Sequence, residues 1–161
     1  MTFRVGTAFD AHRLVAGRPL VLGGVTIPSE IGLAGHSDAD IVCHAICDAC
    51  LGAAGLGDIG RLFPGTPEWK DAVSLELLRL AWEGVAAAGW ALVNVDCVVI
   101  LARPHVAPHV DQMRVNVARA LGATVDQVSI RGTSTDGLGY VGREEGAAAQ
   151  AVVLLTRPGS V

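Results

Sequence analysis

The stretch Gly35-His36-Ser37-Asp38-Ala39-Asp40-Ile41-Val42-Cys43-His44-Ala45-Ile46-Cys47-Asp48-Ala49-Cys50 is where the hydrophobic pattern turns from strand to helix. Ser37, followed three residues later by Asp40, resembles a capping box, in which a side-chain oxygen takes up an otherwise orphan N–H. Ile41, Val42, Ala45, Ile46 and Ala49 then recur at helical spacing, and Gly52 and Gly55 mark the end. Upstream, Phe3 to Phe9 and Pro19 to Val25 read as strands punctuated by Gly17 and Pro19. Downstream, 57–67 reads as a loop and 72–88 as a helix with Leu75, Leu78, Trp82 and Val85 on one face and Gly89 beyond its end. Val93 to Ala102 is a buried strand stopped by Arg103-Pro104. Pro108 opens a helix that turns Val110, Met113, Val117 and Leu121 inward and ends at Gly122. A short strand at 128–131, a polar Gly-rich segment at 132–146 that is a loop or a poor helix start, and an apolar strand at 146–156 complete the chain. The order β-β-α-α-β-α-β-β predicts an α+β fold, a two-layer sandwich of one mixed β-sheet with helices on one face.

The 161 residues have the length of a single domain, and 157–161 are expected to form a disordered tail. With 51% apolar and 17% charged residues, the chain can bury a core and is not an unfolded polyelectrolyte. Its formal charge is −4, Lys70 is its one lysine, and it has no basic run. Counterion release on nucleic acid needs clustered cations, so a nucleic-acid partner is not expected. No apolar run reaches the ~20 residues of a membrane span. Met1-Thr2-Phe3-Arg4 lacks a signal-peptide layout, so no membrane partner is expected and a cytoplasmic location is. Cys43, Cys47 and Cys50 follow one helical face and Cys97 lies in a strand, without the paired Cys-x-x-Cys units of a zinc ribbon. They read as buried free thiols.

Asp10 and His12 stand two apart in an extended run, so both side chains project to the same side. His44, on the helix that follows, offers a third ligand. An Asp/His/His set suits Zn²⁺, and three protein ligands with one open position mark a catalytic site. The alternative for this region is structural, with Ser37 capping the helix and Asp38 and Asp40 complementing its dipole. That explanation leaves His36 and His44 unaccounted for. Asp48 shares a face with His44 and is a candidate to orient it. A helix N-terminus beside a histidine also favours a phosphate. Gly57-Asp58-Ile59-Gly60 can offer N–H groups to an anion or a carboxylate to a polyol. Gly132-Thr133-Ser134-Thr135-Asp136-Gly137 supplies three hydroxyls and a carboxylate, a cradle for phosphate and Mg²⁺ without the lysine of a Walker A loop.

Phe9-Asp10-Ala11-His12, Gly35 to Asp40 with His44, Gly57 to Pro64, Pro108-His109 with Gln112-Met113-Arg114, and Gly139 to Gly146 occur in this order. As a set they resemble the 2-C-methyl-D-erythritol 2,4-cyclodiphosphate synthase family of the non-mevalonate isoprenoid pathway, over nearly the whole chain up to Thr156. The resemblance implies a homotrimer with active sites at subunit interfaces. It implies one Zn²⁺ per site on Asp10, His12 and His44, and Mg²⁺ or Mn²⁺ on the substrate diphosphate. His36 and Ser37 would contact substrate phosphate; Asp58, Ile59, Gly60 and Phe63 the methylerythritol portion; and Leu101, Ala102, Arg103, Pro104, His105, Val106 and Ala107 the cytidine. Thr133, Ser134, Thr135 and Asp136 would bind the diphosphate and its metal from the neighbouring subunit, with Tyr140 and Arg143 at a central cavity. His36 and Ser134 would act on the transition state. The implied reaction closes 4-diphosphocytidyl-2-C-methyl-D-erythritol 2-phosphate to the cyclodiphosphate with release of CMP.

Five positions depart from the family pattern: Ser134 for Thr, Asp136 for Glu, His105 and Gly137 for Lys, and Gly65 for Asp. They bear on rate and metal preference more than on the reaction. Two other readings compete. A metallohydrolase would use the same ligands, but no separate Glu or His stands out as its general base. A trimeric binder of an apolar or prenyl ligand would have no need of an open zinc site.

Overall fold

The computed structural model describes residues 1–159. Strand β1 (Thr2–Ala16) runs antiparallel to the last strand of the chain, β7 (Gly146–Arg157), in continuous register from Thr2 opposite Arg157 to Arg13 opposite Gly146. β7 pairs on its other side with β5 (Ala91–Ile100), also antiparallel, and β5 pairs in parallel with β6 (Val128–Thr133). β4 (Ile31–Leu33) closes the other edge against the end of β1, giving the mixed order β4-β1-β7-β5-β6. A separate two-stranded hairpin, β2 (Leu20–Leu22) and β3 (Val25–Ile27), lies between β1 and β4 in the chain.

Five helices follow: α1 (Ile41–Ala54), α2 (Ile59–Leu62), α3 (Ser74–Ala87), α4 (Val110–Ala120) and α5 (Gly139–Gly142). α1 packs on β1 and β7, α4 on β6, and α3 on both α1 and α4. The α+β class, the mixed sheet and the helical layer agree with the sequence expectation. Several details differ: the 57–67 and 132–146 segments each hold a one-turn helix, α2 and α5, too short to show a periodic pattern. The run 19–25, read as one strand, is broken at Gly23 and Gly24, whose φ of 55° and 70° make the hairpin turn. β4 was too short to show in the pattern. Helix α1 begins at Ile41 under an Asp40 cap, not near Ser37, because the Asp40 carboxylate accepts the Val42 and Cys43 N–H groups while Ser37 Oγ accepts only that of Ala39.

Asp40 is fully buried and also accepts the N–H groups of Gly23 and Gly24 at 2.9 and 2.7 Å, so one carboxylate ties the hairpin turn to the helix. At Gly6 an added Cβ would lie 2.0 Å from the Ala49 carbonyl oxygen. The missing side chain lets α1 lie directly on β1, which brings His44 over Asp10. Leu20, Leu22, Leu33, Ile41, Ile46, Leu78, Met113 and Leu155 fill the space between sheet and helices. Each such side chain contributes about 1.5–3 kcal/mol when buried.

The other face of the sheet is bare. Phe3, Val5 and Phe9 on β1 and Val152 on β7 are 56, 68, 58 and 41% exposed. The four cysteines are free and buried, and burial pushes the Cys50 and Cys97 thiols up to about 12. Arg157, placed in the tail by the sequence reading, is the last residue of β7; residues 160–161 lie outside the described residues. Among the described residues no helix is long and apolar enough to cross a membrane.

Candidate metal centre and substrate clefts

On β1, Asp10 and His12 project toward the helical layer, and the first turn of α1 carries His44 to meet them. Asp10 Oδ2 lies 3.1 Å from His12 Nε2 and 3.0 Å from His44 Nδ1. One donor atom from each residue falls within 4.8 Å of the other two. All three side chains are partly buried, and His12 and His44 line a cleft of about 180 Å³ together with His36, Ser37, Ile59, Phe63, Gly65, Trp69 and Leu77.

Their outer partners set the tautomers. The Ala34 carbonyl accepts from His12 Nδ1, leaving Nε2 with its lone pair toward Asp10. The Ser74 hydroxyl donates its one proton to Asp38 Oδ1, so at 2.9 Å it accepts from His44 Nε2. His44 Nδ1 therefore also presents a lone pair inward. With the outer N–H groups so engaged, a carboxylate oxygen and two imidazole nitrogens converge from three residues, and a cation is what such a set of donors fits. The charges show the same demand. Burial pushes the Asp10 carboxyl up, but hydrogen bonds and charge from His12 and His44 outweigh it and hold it well below the carboxylate range. The Asp10 hydrogen bond raises His12, as a proton there would partly replace the cation.

The orienting partner of His44 is thus Ser74 with Asp38 behind it, and not Asp48. Asp48 instead accepts the Ile59 N–H at 2.6 Å and holds the start of α2. Ser74, Trp69 and Leu77 were not singled out in the sequence. Their positions 25–33 residues beyond His44 carry no periodic signal that links them to it.

The other predicted residues divide into groups. His36 is exposed at the cleft, with Nε2 2.7 Å from the Thr66 carbonyl, whereas Ser37 is buried and its hydroxyl is engaged by the Ala39 N–H and Ser74. Asp58 caps α2 through the Arg61 N–H, beside Ile59 and Gly60. Phe63 packs edge-on against Trp69 at 4.8 Å between centroids. A second cleft of about 260 Å³ is lined by Leu101, Ala102, His105, Val106, Ala107, Gly132, Thr133 and Ser134. There the Leu101 N–H donates to the Thr133 carbonyl at 3.0 Å. Arg103 leaves that cleft to pair with Glu144, and Pro104 lines the outer surface with it. Thr135 Oγ1 donates to the Leu138 carbonyl, and Asp136 is exposed with a φ of 54°. Tyr140 lines a third cleft with Ala11, His12 and Arg13, while Arg143 pairs with Glu145. Within one chain the structure therefore joins the candidate metal ligands to the 36–37 and 58–63 segments. It joins 101–107 to 132–134 separately.

The YgbB family model matches residues 3–156. A 2-C-methyl-D-erythritol 2,4-cyclodiphosphate synthase of Geobacillus sp. (strain WCH70) is 55% identical over 156 residues, spanning 96% of this chain and 99% of the relative. A 2C-methyl-D-erythritol-2,4-cyclodiphosphate synthase solved with CDP bound superposes with a TM-score of 0.86 at 40% identity, covering 95% of this chain and all of that one. The bifunctional IspDF from Campylobacter jejuni superposes with a TM-score of 0.93 at 39% identity; it covers 98% of this chain, which spans 43% of the bifunctional one.

Proposed function

The chain belongs to the YgbB family, the 2-C-methyl-D-erythritol 2,4-cyclodiphosphate synthases, and from that we propose how its own residues perform the reaction. It converts 4-diphosphocytidyl-2-C-methyl-D-erythritol 2-phosphate to 2-C-methyl-D-erythritol 2,4-cyclodiphosphate and CMP. An oxygen of the 2-phosphate forms a bond to the β-phosphorus, the bond from that phosphorus to the CMP oxygen breaks, and CMP leaves with the electron pair. Such a transfer is carried by positioning and charge neutralisation more than by covalent help.

Asp10, His12 and His44 hold one Zn²⁺, with Mg²⁺ or Mn²⁺ accompanying the diphosphate at Asp136; bound there, the dications supply Lewis-acid charge to phosphoryl oxygens. His36 stands at the cleft to hydrogen-bond a phosphoryl oxygen, and Ser37, its hydroxyl engaged internally, meets the phosphate through its backbone. Asp58 to Gly60 and Phe63 hold the methylerythritol portion. Leu101 to Ala107 receive the cytidine, and Thr133 to Thr135 the diphosphate, with Ser134 donating to the transferring group as charge develops on it. Tyr140 and Arg143 border a central cavity.

The 161 residues act as one synthase domain in a homotrimer, where the 101–107 and 132–136 loops of one copy complete the metal cleft of its neighbour. The bare apolar face at Phe3, Val5, Phe9 and Val152 supports that assembly, because a monomer leaves it in water. Four buried free thiols suit the reducing cytoplasm.

The observation that carries this reading is the convergence of Asp10, His12 and His44, one ligand atom of each within 4.8 Å of the others, in a family member matched over almost its full length. ³¹P NMR of the purified chain with the diphosphocytidyl substrate and Mg²⁺ tests it, with and without a zinc chelator. The expected result is a pair of cyclic diphosphate doublets with CMP, lost on chelation. CMP with a linear phosphate product would replace the cyclase by a hydrolase.

A further inference from the structure

Arg18 lies after β1 and outside every residue assigned above, yet its guanidinium reaches the metal cleft from behind. Nη1 donates to the Gly35 carbonyl at 3.0 Å and Nη2 to the Ser37 carbonyl at 2.5 Å, the two carbonyls that flank His36. The backbone that carries it is held close: an added Cβ on Gly32 of β4 would lie 2.4 Å from the Arg18 carbonyl oxygen and 2.2 Å from that of Pro19. The loop it grips is bonded along its whole carbonyl edge. Ala34 accepts from His12, Gly35 and Ser37 from Arg18, and His36 from the Asp71 N–H at 2.8 Å. On the opposite edge, the Gly35, His36 and Ser37 N–H groups make no hydrogen bond among the described residues.

Stability alone does not account for this arginine. Its Nε is buried without a partner, and a buried unpaired donor weakens a fold. The geometry assigns Arg18 as a positioning residue: the guanidinium fork fixes the loop from behind so that the His36 side chain and the free N–H edge meet an anionic phosphoryl group. The Gly35 carbonyl and the His36 N–H belong to one peptide unit. A cation bonded to that carbonyl polarises the unit and makes its N–H a stronger donor to an anion. The inference rests on the reading that this loop receives substrate phosphate.

Lysine keeps the charge but cannot span two carbonyls with a planar fork. The test therefore compares the full-length zinc-loaded chain with its Arg18→Lys and Arg18→Ala forms, in two assays. In turnover of the diphosphocytidyl substrate, Arg18→Lys is expected to lower kcat about 10- to 100-fold, as a sub-ångström to ångström misplacement does, with KM within about threefold. Zinc content should be unchanged, and millimolar guanidinium, but not methylammonium, should restore part of the Arg18→Ala activity. In the second assay, inorganic phosphate is titrated against the ¹H–¹⁵N signals of His36 and Ser37, and its affinity should fall several-fold in Arg18→Lys. Wild-type kcat in Arg18→Lys, or phosphate shifts identical to wild type, would overturn the assignment. If Arg18→Ala does not fold, Arg18→Lys carries the test alone. If the wild-type chain turns nothing over, the proposed reaction fails, and the phosphate titration alone decides the role of Arg18.

Discussion

Asp10 and His12 come from a strand and His44 from a helix, and each imidazole is held from behind: His12 by the Ala34 carbonyl, His44 by Ser74 with Asp38 behind it. The cleft between 101–107 and 132–134 is walled by the segment that leaves β5 and by the end of β6. Its polar groups turn to their own backbone, Thr133 to the Ser134 carbonyl and Thr135 to that of Leu138. The first region is preorganised within one chain and will lose function when one atom of its network is removed. The second has walls but few side chains aimed into it. It acquires its order from what enters it.

The sharpest way to break this contrast is at a ligand. His44→Ala should abolish both zinc binding and turnover, measured by metal analysis of the purified chain and by ³¹P NMR; zinc retained at full occupancy would remove the metal centre from the argument. Ser134→Ala comes next, with an expected loss of about 100-fold in kcat, the cost of one donor to developing charge. That loss should appear with zinc content unchanged, because the two clefts are separate in one chain. Ser74→Ala should cost about 10- to 100-fold in zinc affinity, read by competition with a chromophoric chelator. The reason is that His44 Nε2–H is left in a half-buried site without its acceptor. A wild-type affinity would show that Asp38 or Ser37 takes over. Smallest is Arg103→Ala. The Arg103–Glu144 pair is exposed on the arginine side, and such pairs contribute under about 1 kcal/mol, so KM should move by less than about threefold.

The same contrast explains what could be read from residues alone. The candidate metal ligands were legible because strand periodicity puts positions 10 and 12 on one side, and a histidine on the largely apolar helix that follows has few other reasons to be there. The core strands were legible too, since 93–102 and 146–156 are apolar runs with clear stops. The orienting groups were not. Asp48 has the right spacing on α1 for His44, but Ser74 reaches it across 30 residues through the packing of α3 on α1, and no local pattern encodes that packing. The start of α1 was missed for a related reason. Ser37 and Asp40 are both good caps, and the choice fell to Asp40 because the Gly23-Gly24 turn, distant in sequence, also needs its carboxylate. The assignment of 101–107 came from resemblance, while 133–136 also stood out by its hydroxyls and carboxylate; the structure brings 101–107 against 132–134 without aiming them at a target.

Thr2 opposite Arg157 has a consequence for the architecture of larger proteins. The two ends of the fold sit side by side at one end of β1, about 27 Å along the strand from Asp10. A short linker could join them and new ends be cut at an exposed turn, giving a circular permutant with the ligand geometry untouched. A second catalytic unit appended at either end would likewise hang on the side away from Asp10 and His12, so fusion would demand no redesign of the site.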